Sequence, residues 1–240
     1  MIEFRVLANY LKLFPTFLRL ARHGTQRGTV FYHDLGDLHQ KSVLREVFIE
    51  RLCSGKRVLH FGFVDAPFSR ERILEKRLIH QRIALSAKFL FGADVDESAV
   101  ELYRQLTGDQ QNTVCDITNP AGLEKLHQNF DVIIFGEVLE HLLEPAKALR
   151  NLRTVCAANP GCRLCVTTPN ASTILGFGAA LDGNELVHPD HYYYFSPVTL
   201  KKLLKDCGFR DIELWLYDGE RFLHSPGITK HGVIATCVAE

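Results

Sequence analysis

The stretch Asp131-Val-Ile-Ile-Phe-Gly-Glu-Val-Leu-Glu-His141 contains an apolar run that stops abruptly at acidic and imidazole side chains. An apolar run without alternation is typical of a parallel strand that is buried on both faces. Two earlier stretches, 57–62 and 90–96, have the same form and stop at Gly or Asp. Because ligands bind outside the carboxyl ends of the strands in open α/β sheets, the polar residues at these ends predict a site.

Strand-like and helix-like segments alternate from residue 57 onward. The predicted strands are 58–63, 89–95, 112–115, 130–135 and 163–167. The spacing of apolar residues predicts helices at 71–86, 97–106 and 145–157, and one more that ends near residue 126. This alternation predicts an α/β fold, a doubly wound, Rossmann-like, mostly parallel sheet with helices on both faces.

The C-terminal segment follows a different pattern. Ser196 and Pro197 predict the start of a helix, and Gly208 predicts its end. Two strand-like runs, 212–217 and 232–238, follow without a helix between them. Strands joined in this way pair antiparallel, so we expect this pair at the edge of the sheet.

The N-terminal residues predict a helical extension. Residues 2–22 have the pattern of short amphipathic helices interrupted at Pro15, and residues 42–52 have the pattern of a further helix. The extension is expected to pack on the main domain or to form a lid, with interfacial membrane contact as the alternative. This divides the chain into a helical cap at 1–54 and a main domain at 55–240.

The composition argues against several classes of protein. Of the 240 residues, 46% are hydrophobic, which is enough for one large core. The 28 Lys and Arg residues balance the 28 Asp and Glu residues, so no nucleic-acid partner is expected. No uninterrupted apolar run approaches the roughly 20 residues of a membrane helix. A soluble globular protein is expected.

The cysteines favour a reducing compartment. Seven of them, an odd number, are scattered through a chain too long to need disulfides for stability. This favours free thiols and a cytoplasmic location. Cys162 and Cys165 have a metal-like spacing, but positions three apart in a strand face opposite sides. We therefore expect two core thiols and no metal site.

Several short motifs follow one another in order along the chain. They are Val58-Leu-His-Phe-Gly62, Gly92-Ala-Asp94, Val114-Cys-Asp116, the stretch 130–142, Thr168-Pro-Asn170 and Phe195-Ser-Pro197. With these motifs the chain resembles the class I S-adenosylmethionine-dependent methyltransferases, from about residue 57 to the C-terminus. The resemblance implies S-adenosylmethionine as the cofactor and a seven-stranded sheet with an antiparallel final strand.

The chain departs from that family at the first motif. The first strand of the family usually ends in an acidic residue followed by a Gly-rich loop, whereas this sequence has His60, Gly62, Val64 and Ala66. Two glycines are missing, and the residues up to His80 indicate an enlarged loop. Either a variant loop holds the cofactor or cofactor binding has been lost. The polar residues kept at the other strand ends favour the variant loop.

The resemblance implies a set of cofactor-binding residues at the strand ends. Asp94 would accept hydrogen bonds from both ribose hydroxyls, and Asp116 would accept one from the adenine amino group, with Ile117 against the ring. Each aspartate has an alternative role as a helix cap, which Asp96 can fill in place of Asp94. The other residues expected at the cofactor are His60, Gly62, Phe63, His80, Val95, Gly136 and Glu137.

His141 is the candidate catalytic residue, because a hydroxyl acceptor has to lose a proton and imidazole titrates near working pH. Its alternative role is a hydrogen bond that orients the cleft. Glu140 is expected to orient this imidazole or to lie on a helix surface.

The run 188–197, which follows a Gly-rich loop predicted at 176–184, supplies the candidate substrate-binding residues. It contains two histidines and three consecutive tyrosines, whose rings can stack on a substrate. We assign His188, His191 and Tyr192 to the acceptor side. An aromatic edge strand or a packing loop is the alternative.

These inferences predict a methyltransferase that methylates an oxygen atom of a small molecule, a sugar or a glycan precursor. Two alternatives stay open. The altered first motif allows a noncatalytic adenosine-cofactor-binding or assembly protein derived from the same fold. An NAD-dependent oxidoreductase is the other, and the absence of Gly-x-Gly-x-x-Gly from the sequence argues against it.

Overall fold

A computed structural model describes residues 38, 42–126, 129–218 and 230–240, without the side chains of residues 124 and 125. Eight strands form one sheet in these ranges. They are β1 (Ser42–Leu44), β2 (Arg57–Phe61), β3 (Phe89–Asp94), β4 (Asn112–Val114), β5 (Val132–Gly136), β6 (Arg163–Pro169), β7 (Phe209–Asp218) and β8 (Gly232–Ala239).

Helices connect most of these strands. The α-helices are α1 (Arg45–Cys53), α2 (Ser69–Leu74), α3 (Ile79–Ala84), α4 (Glu97–Thr107), α5 (Pro145–Ala157), α6 (Ile174–Leu181) and α7 (Pro197–Asp206). Two 3-10 helices cover Pro120–Leu126 and Leu139–His141. Their alternation with the strands confirms the predicted Rossmann-like α/β class.

The strand order in the sheet is β1-β7-β8-β6-β5-β2-β3-β4. Of these strands, β8 alone runs antiparallel to its neighbours, β6 and β7, while the other pairs are parallel. The reversed final strand is as expected. The β7–β8 pair does not form the sheet edge, however, because β1 pairs with the outer side of β7. The three-residue strand β1, where a helix was predicted to begin, covers the outer side of β7 and brings the strand count to eight.

The strand order reverses direction at β2. From β2 the chain adds β3 and then β4 on one side, and returns to place β5 on the other side. A crevice opens at such a switch point, outside the carboxyl ends of the strands. The candidate residues at the ends of β2, β3, β4 and β5 therefore lie around one opening.

Each face of the sheet has its own buried cluster, as the alternation of side chains along a strand requires. In β5, Ile133 and Phe135 join one cluster, while Ile134 joins the other. Cys162 and Cys165 are split in the same way between the two clusters. Both are buried thiols, so these two are core thiols as predicted.

Two local predictions were wrong. The single helix expected at 71–86 is divided into α2 and α3, and Lys76 between them has a positive φ of 56° that no α-helix accommodates. The loop expected at 176–184 begins as helix α6. Thr173 caps that helix by accepting a hydrogen bond from the backbone N–H of Gly176 at 3.0 Å.

The predicted amphipathic helices at 2–22 lie outside the described residues, and the division into 1–54 and 55–240 stays a prediction. Helix α1, within the predicted cap, packs on the sheet through Ile49 and Cys53. Among the described helices, none has the length and apolar character needed to cross a bilayer.

His60 of β2 and His80 of α3 form a buried imidazole pair. Both side chains are 0% exposed, and their Nδ1 atoms lie 3.2 Å apart. At this distance one neutral ring donates and the other accepts. Burial lowers the pKa of His60 to about 3, with a smaller effect from Arg45, and lowers the pKa of His80 well below its usual value. The folded protein therefore holds both rings neutral.

We predict that acid destabilises the protein through this pair. Below about pH 6.5 the unfolded chain takes up protons at both histidines while the folded chain does not, so the free energy of unfolding falls as the pH falls. The substitution His80→Asn keeps a polar atom near the Nδ1 position but does not titrate. This variant should reduce the slope of the free energy of unfolding against pH by about 1.4 kcal/mol per pH unit between about pH 6.5 and 5.

Urea unfolding at a series of pH values measures this slope. The matched control is His188→Asn, which makes the same change at an exposed imidazole. Equal slopes in wild type and His80→Asn would contradict the assignment.

Candidate functional site

A cleft of about 380 Å³ opens at the carboxyl ends of β2 to β5. This volume lies in the range of small-molecule sites. The residues lining the cleft are Phe61, Gly62, Ala93, Asp94, Val95, Cys115, Asp116, Ile117, Thr118, Phe135, Val138, His141, Leu142, Leu143, Glu144 and Tyr192. Seven of the predicted site residues thus line this one cleft: Gly62, Asp94, Val95, Asp116, Ile117, His141 and Tyr192.

Asp94 ends β3 with its carboxylate held by backbone amides. Its Oδ2 accepts a hydrogen bond from the N–H of Val64 at 3.3 Å, and its Oδ1 accepts one from Asp96 at 3.1 Å. Burial raises the pKa of Asp94, and these hydrogen bonds oppose the rise. Asp96 caps helix α4 by accepting from the N–H of Ala99 at 2.9 Å. The carboxylate of Asp94 is therefore free of the capping role and faces the cleft with unused acceptor positions.

Asp116 follows β4 and shapes a tight turn. Its Oδ1 accepts from both the backbone N–H and the hydroxyl of Thr118, each at 2.8 Å. The next 3-10 helix is capped by Asn119, whose Oδ1 accepts from Ala121 at 3.1 Å. Asp116 thus serves a local turn and also lines the cleft, next to the buried Ile117.

The turn after β2 depends on Gly62. Its φ is +72°, and an added Cβ would lie 2.3 Å from Cγ2 of Val138. The following Phe63 and Val64 are each 1% exposed and pack in a cluster with residues of α4. Packing of these side chains holds the enlarged loop, where the family pattern uses further glycines.

Five residues predicted at the cofactor do not line the cleft: His60, Phe63, His80, Gly136 and Glu137. His60 alternates with the cleft residue Phe61 along β2 and therefore points to the other face of the sheet. Phe63 and His80 are buried, with ring centroids 4.6 Å apart. These side chains support the cleft from the core, which their sequence positions alone did not reveal.

Glu137 joins three segments that are distant in sequence. Its Oε1 accepts hydrogen bonds from the hydroxyl of Thr167 at 2.7 Å and of Tyr217 at 2.8 Å, and lies 3.3 Å from the guanidinium of Arg45. The ring of Tyr217 rests on Gly232, where a Cβ would meet it at 2.0 Å. The carboxylate therefore connects the end of β5 to β6, to β7 and to the start of α1.

Glu137 also sets the direction of the chain after β5. Its φ is +54°, a conformation that is uncommon for a residue other than glycine. Its own N–H donates to the carbonyl of Thr167 at 2.9 Å. The reversal leads into the 3-10 helix Leu139–His141, which places His141 at the cleft.

The imidazole of His141 is fixed by the loop that crosses it. Its Nδ1 lies 3.0 Å from the carbonyl oxygen of Asp190. A carbonyl only accepts, so the neutral ring carries its proton on Nδ1 and has a lone pair on Nε2. This arrangement leaves one basic nitrogen available for chemistry.

The predicted acceptor-side histidines gather around His141. The ring centroids of His141 and His191 are 4.6 Å apart, as are those of His188 and His191. The hydroxyl of Tyr194 accepts from the N–H of His188 at 2.9 Å and lies 3.2 Å from Nδ1 of His191. Of the predicted substrate residues, the exposed Tyr192 lines the cleft itself.

Glu140 is fully buried beside this cluster, where the sequence had suggested a helix surface as one alternative. Its Oε2 accepts from the hydroxyl of Thr168 at 3.0 Å. Its carbonyl accepts from the N–H groups of Tyr192 and Tyr193 at 2.9 and 3.3 Å. Burial raises the pKa of Glu140 to about 8, and the charge of Glu137 adds to the rise.

Sequence reasoning did not single out several residues of the cleft wall. These are Thr118, Val138, Leu142, Leu143 and Glu144. Most of them flank a predicted residue. Their position, one to three residues beyond a strand-end motif, is the sequence feature that could have identified them.

A family model described as a methyltransferase domain matches residues 46–214 of the chain. A comparison with curated proteins finds no match. The matched range includes all the strand ends that form the cleft.

Three solved structures with similar folds cover most of the chain. A SAM-dependent methyltransferase from Archaeoglobus fulgidus is 16% identical, covers 80% of this chain and 92% of its own, and has a TM-score of 0.53. A SAM-dependent methyltransferase of Thermotoga maritima is described as a possible histamine N-methyltransferase. It is 16% identical, the match covers 85% of this chain and 92% of that chain, and the TM-score is 0.55. The magnesium protoporphyrin IX methyltransferase of Synechocystis, with bound SAH, is 16% identical. The match covers 94% of this chain and 100% of that chain, and the TM-score is 0.52.

We predict that Tyr217→Phe lowers the free energy of unfolding by about 1 to 2 kcal/mol, because it removes a buried hydrogen bond to a carboxylate. Tyr193→Phe is the matched control. It makes the same chemical change at an exposed hydroxyl that donates to the Leu143 carbonyl, and should cost under about 0.5 kcal/mol. Urea unfolding measures both, and equal losses would show that Glu137 does not depend on Tyr217.

Proposed function

This chain belongs to the methyltransferase domain family and is a class I S-adenosylmethionine-dependent methyltransferase, and from that premise we propose that it methylates a hydroxyl oxygen of a small molecule, a sugar or a glycan precursor. The single observation that carries the proposal is the cleft. It has two carboxylates at the ends of β3 and β4 and a basic imidazole nitrogen at the end of β5.

The residues of the cleft fit the cofactor of the family. Asp94 is suited to the ribose hydroxyls, because its carboxylate lines the cleft and the capping of helix α4 is done by Asp96. Asp116 and Ile117 offer an acceptor and an apolar surface for adenine, and Gly62 allows close backbone approach. S-adenosylmethionine supplies, when bound, a methyl group on a positively charged sulfur that leaves as a neutral thioether.

His141 is the proposed catalytic residue at the acceptor end. With Nδ1–H donated to the Asp190 carbonyl, its Nε2 lone pair is available to take the proton of an acceptor hydroxyl. Much of the remaining rate enhancement comes from holding two reactants together in one cleft, since little covalent work is left to the protein.

The acceptor is proposed to enter beside the loop 188–195. Tyr192 offers an exposed aromatic surface at the cleft, and His188 and His191 offer hydrogen-bonding groups next to His141. These groups suit a polar acceptor with hydroxyls. The similar folds include methyltransferases described for histamine and for a porphyrin, so the choice of acceptor class rests on the loop residues and not on the fold.

We propose a cytoplasmic location and a small-molecule acceptor with no nucleic-acid partner. The odd number of cysteines, and the burial of Cys162 and Cys165 as core thiols, support a reducing compartment. Equal numbers of basic and acidic residues give no overall attraction to a phosphate backbone.

Calorimetry with S-adenosylmethionine and with NAD, followed by methyl transfer to a panel of hydroxyl-bearing acceptors, tests the proposal. We expect binding of S-adenosylmethionine, no binding of NAD, and transfer to oxygen. Cofactor binding without transfer to any acceptor would favour a noncatalytic binding protein. Binding of NAD alone would favour the oxidoreductase.

We predict that Asp94→Asn weakens S-adenosylhomocysteine binding about 10-fold to 100-fold. The amide removes charge-assisted hydrogen bonds worth about 1.5 to 3 kcal/mol. Asp96→Asn is the matched control, because asparagine caps a helix as well as aspartate does and affinity should stay unchanged. Calorimetry measures both variants, with circular dichroism to verify folding, and equal affinities in the two would remove Asp94 from the site.

Two substitutions of His141 separate catalysis from positioning. His141→Ala removes both ring nitrogens, while His141→Asn keeps a donor near the Asp190 carbonyl and lacks Nε2. We expect both to lower turnover of an acceptor found in the panel by about 10²-fold to 10⁴-fold. S-adenosylmethionine affinity should change less than about 3-fold in each. Recovery of turnover in His141→Asn, or an equal loss of turnover and affinity, would assign His141 a positioning role.

A further inference from the structure

We propose that Glu140, His141 and His191 bind one divalent metal ion at the acceptor end of the cleft. No local sequence pattern indicates a metal there, because His191 lies fifty residues after His141. The fold brings them together through the loop 188–195, which lies across the 3-10 helix Leu139–His141. The use of this ion in catalysis rests on the proposed function, whereas its binding does not.

The ligand atoms are already close. One donor atom from each of the three residues lies within 4.8 Å of the other two. Metal bonds of about 2.0 to 2.2 Å place ligand atoms about 3 to 4 Å apart. The three donor atoms are therefore close to the separations that a bound ion requires.

Glu140 supplies an unsatisfied buried oxygen. The residue is 0% exposed, Thr168 donates to Oε2, and Oε1 has no hydrogen-bond partner among the described residues. A buried carboxylate oxygen without a partner is costly, since its desolvation is not offset. A bound cation would satisfy this oxygen and offset the buried negative charge.

The two imidazoles are oriented as metal-binding histidines usually are. Such a ring donates one N–H to a carbonyl, carboxylate or hydroxyl and binds the metal through the other nitrogen. Nδ1 of His141 lies on the Asp190 carbonyl and Nδ1 of His191 lies 3.2 Å from the Tyr194 hydroxyl. That hydroxyl already accepts from His188, and it has a second lone pair to accept from His191.

The backbone makes the arrangement rigid. The N–H groups of Tyr192 and Tyr193 both donate to the carbonyl of Glu140, the first at 2.9 Å and the second at 3.3 Å. Thus the loop that carries His191 is tied to the residue that supplies the carboxylate. Preorganisation of this kind lowers the cost of assembling a site on binding.

Two imidazoles and one carboxylate suit a divalent transition metal such as zinc, manganese, iron or cobalt. With three protein ligands, such an ion keeps an open position. Since His141 also lines the cleft, that position would face an acceptor with oxygen donors. When the ion is bound, His141 is one of its ligands and no longer the base of the reaction. The cation would lower the pKa of the acceptor hydroxyl, whose proton would leave to solvent.

Cobalt(II) titration of the untagged full chain tests the proposal. Co²⁺ has visible d–d absorption that reports its ligands, and thiolate charge-transfer bands would reveal binding to the cysteines instead. We expect saturable binding of one Co²⁺ per chain without thiolate bands, and competition by Zn²⁺. Glu140→Gln and His191→Ala should each weaken binding by at least about 10-fold, as loss of one of three ligands requires.

Glu144→Gln is the matched control, because it makes the same change at an exposed carboxylate of the same cleft and should leave Co²⁺ affinity unchanged. Absence of saturable binding, thiolate bands, or equal affinities in Glu140→Gln and Glu144→Gln would overturn the proposal. Circular dichroism and S-adenosylhomocysteine binding of each variant identify a variant that fails to fold, and in that case the folded His191→Ala decides.

The same experiment separates this inference from the proposed function. A chain that binds S-adenosylhomocysteine but not Co²⁺ would be a methyltransferase without a metal site. Binding of Co²⁺ without binding of S-adenosylhomocysteine would support the metal site and contradict the proposed methylation of a hydroxyl oxygen.

Discussion

The carboxylate of Glu137, with the hydrogen bonds it accepts, is the interaction on which the rest of the site depends. It holds the end of β5 against Thr167 of β6 and Tyr217 of β7, and it pairs with Arg45 at the start of α1. The positive φ of Glu137 then turns the chain into the short 3-10 helix. Without that turn neither Glu140 nor His141 would have its present position.

The second structural constraint is the loop from β2 to α2, where the chain departs from the family pattern. Gly62 is needed because its backbone packs against Val138. Phe63 and Val64 fill the core against α4, in the segment where the family has a Gly-rich loop. The N–H of Val64 also donates to Asp94. An unusual first motif therefore still supports the carboxylate at the end of β3, because packing provides the rigidity that a short Gly-rich turn provides elsewhere.

Much of the fold followed from the sequence because its signals are local. Apolar runs that end in Gly or Asp, with helical periodicity between them, placed the ends of strands β2 to β6 within two residues. The bounds of the helix Pro145–Ala157 were predicted without error. The strand β1 escaped prediction because three residues carry no periodicity and their partner, β7, lies far along the chain.

The site was predicted in part for the same reason. Asp94, Asp116 and His141 end strands or follow them, and strand ends meet in a parallel sheet. By contrast, His60 and Glu137 were placed at the cofactor, and the structure gives them partners that no local pattern reveals, namely His80 for the first and Tyr217 for the second. The buried state of Glu140 depends likewise on Thr168 and on a loop fifty residues away.

We propose that an adenosyl group lies across the ends of β2, β3 and β4, with its sulfur toward His141. A crystal structure of the protein with S-adenosylhomocysteine measures this directly. We expect both ribose hydroxyl oxygens within about 3 Å of the Asp94 carboxylate, which is hydrogen-bonding distance. An empty cleft at saturating ligand, or an Asp94 carboxylate turned away from the ribose, would contradict it.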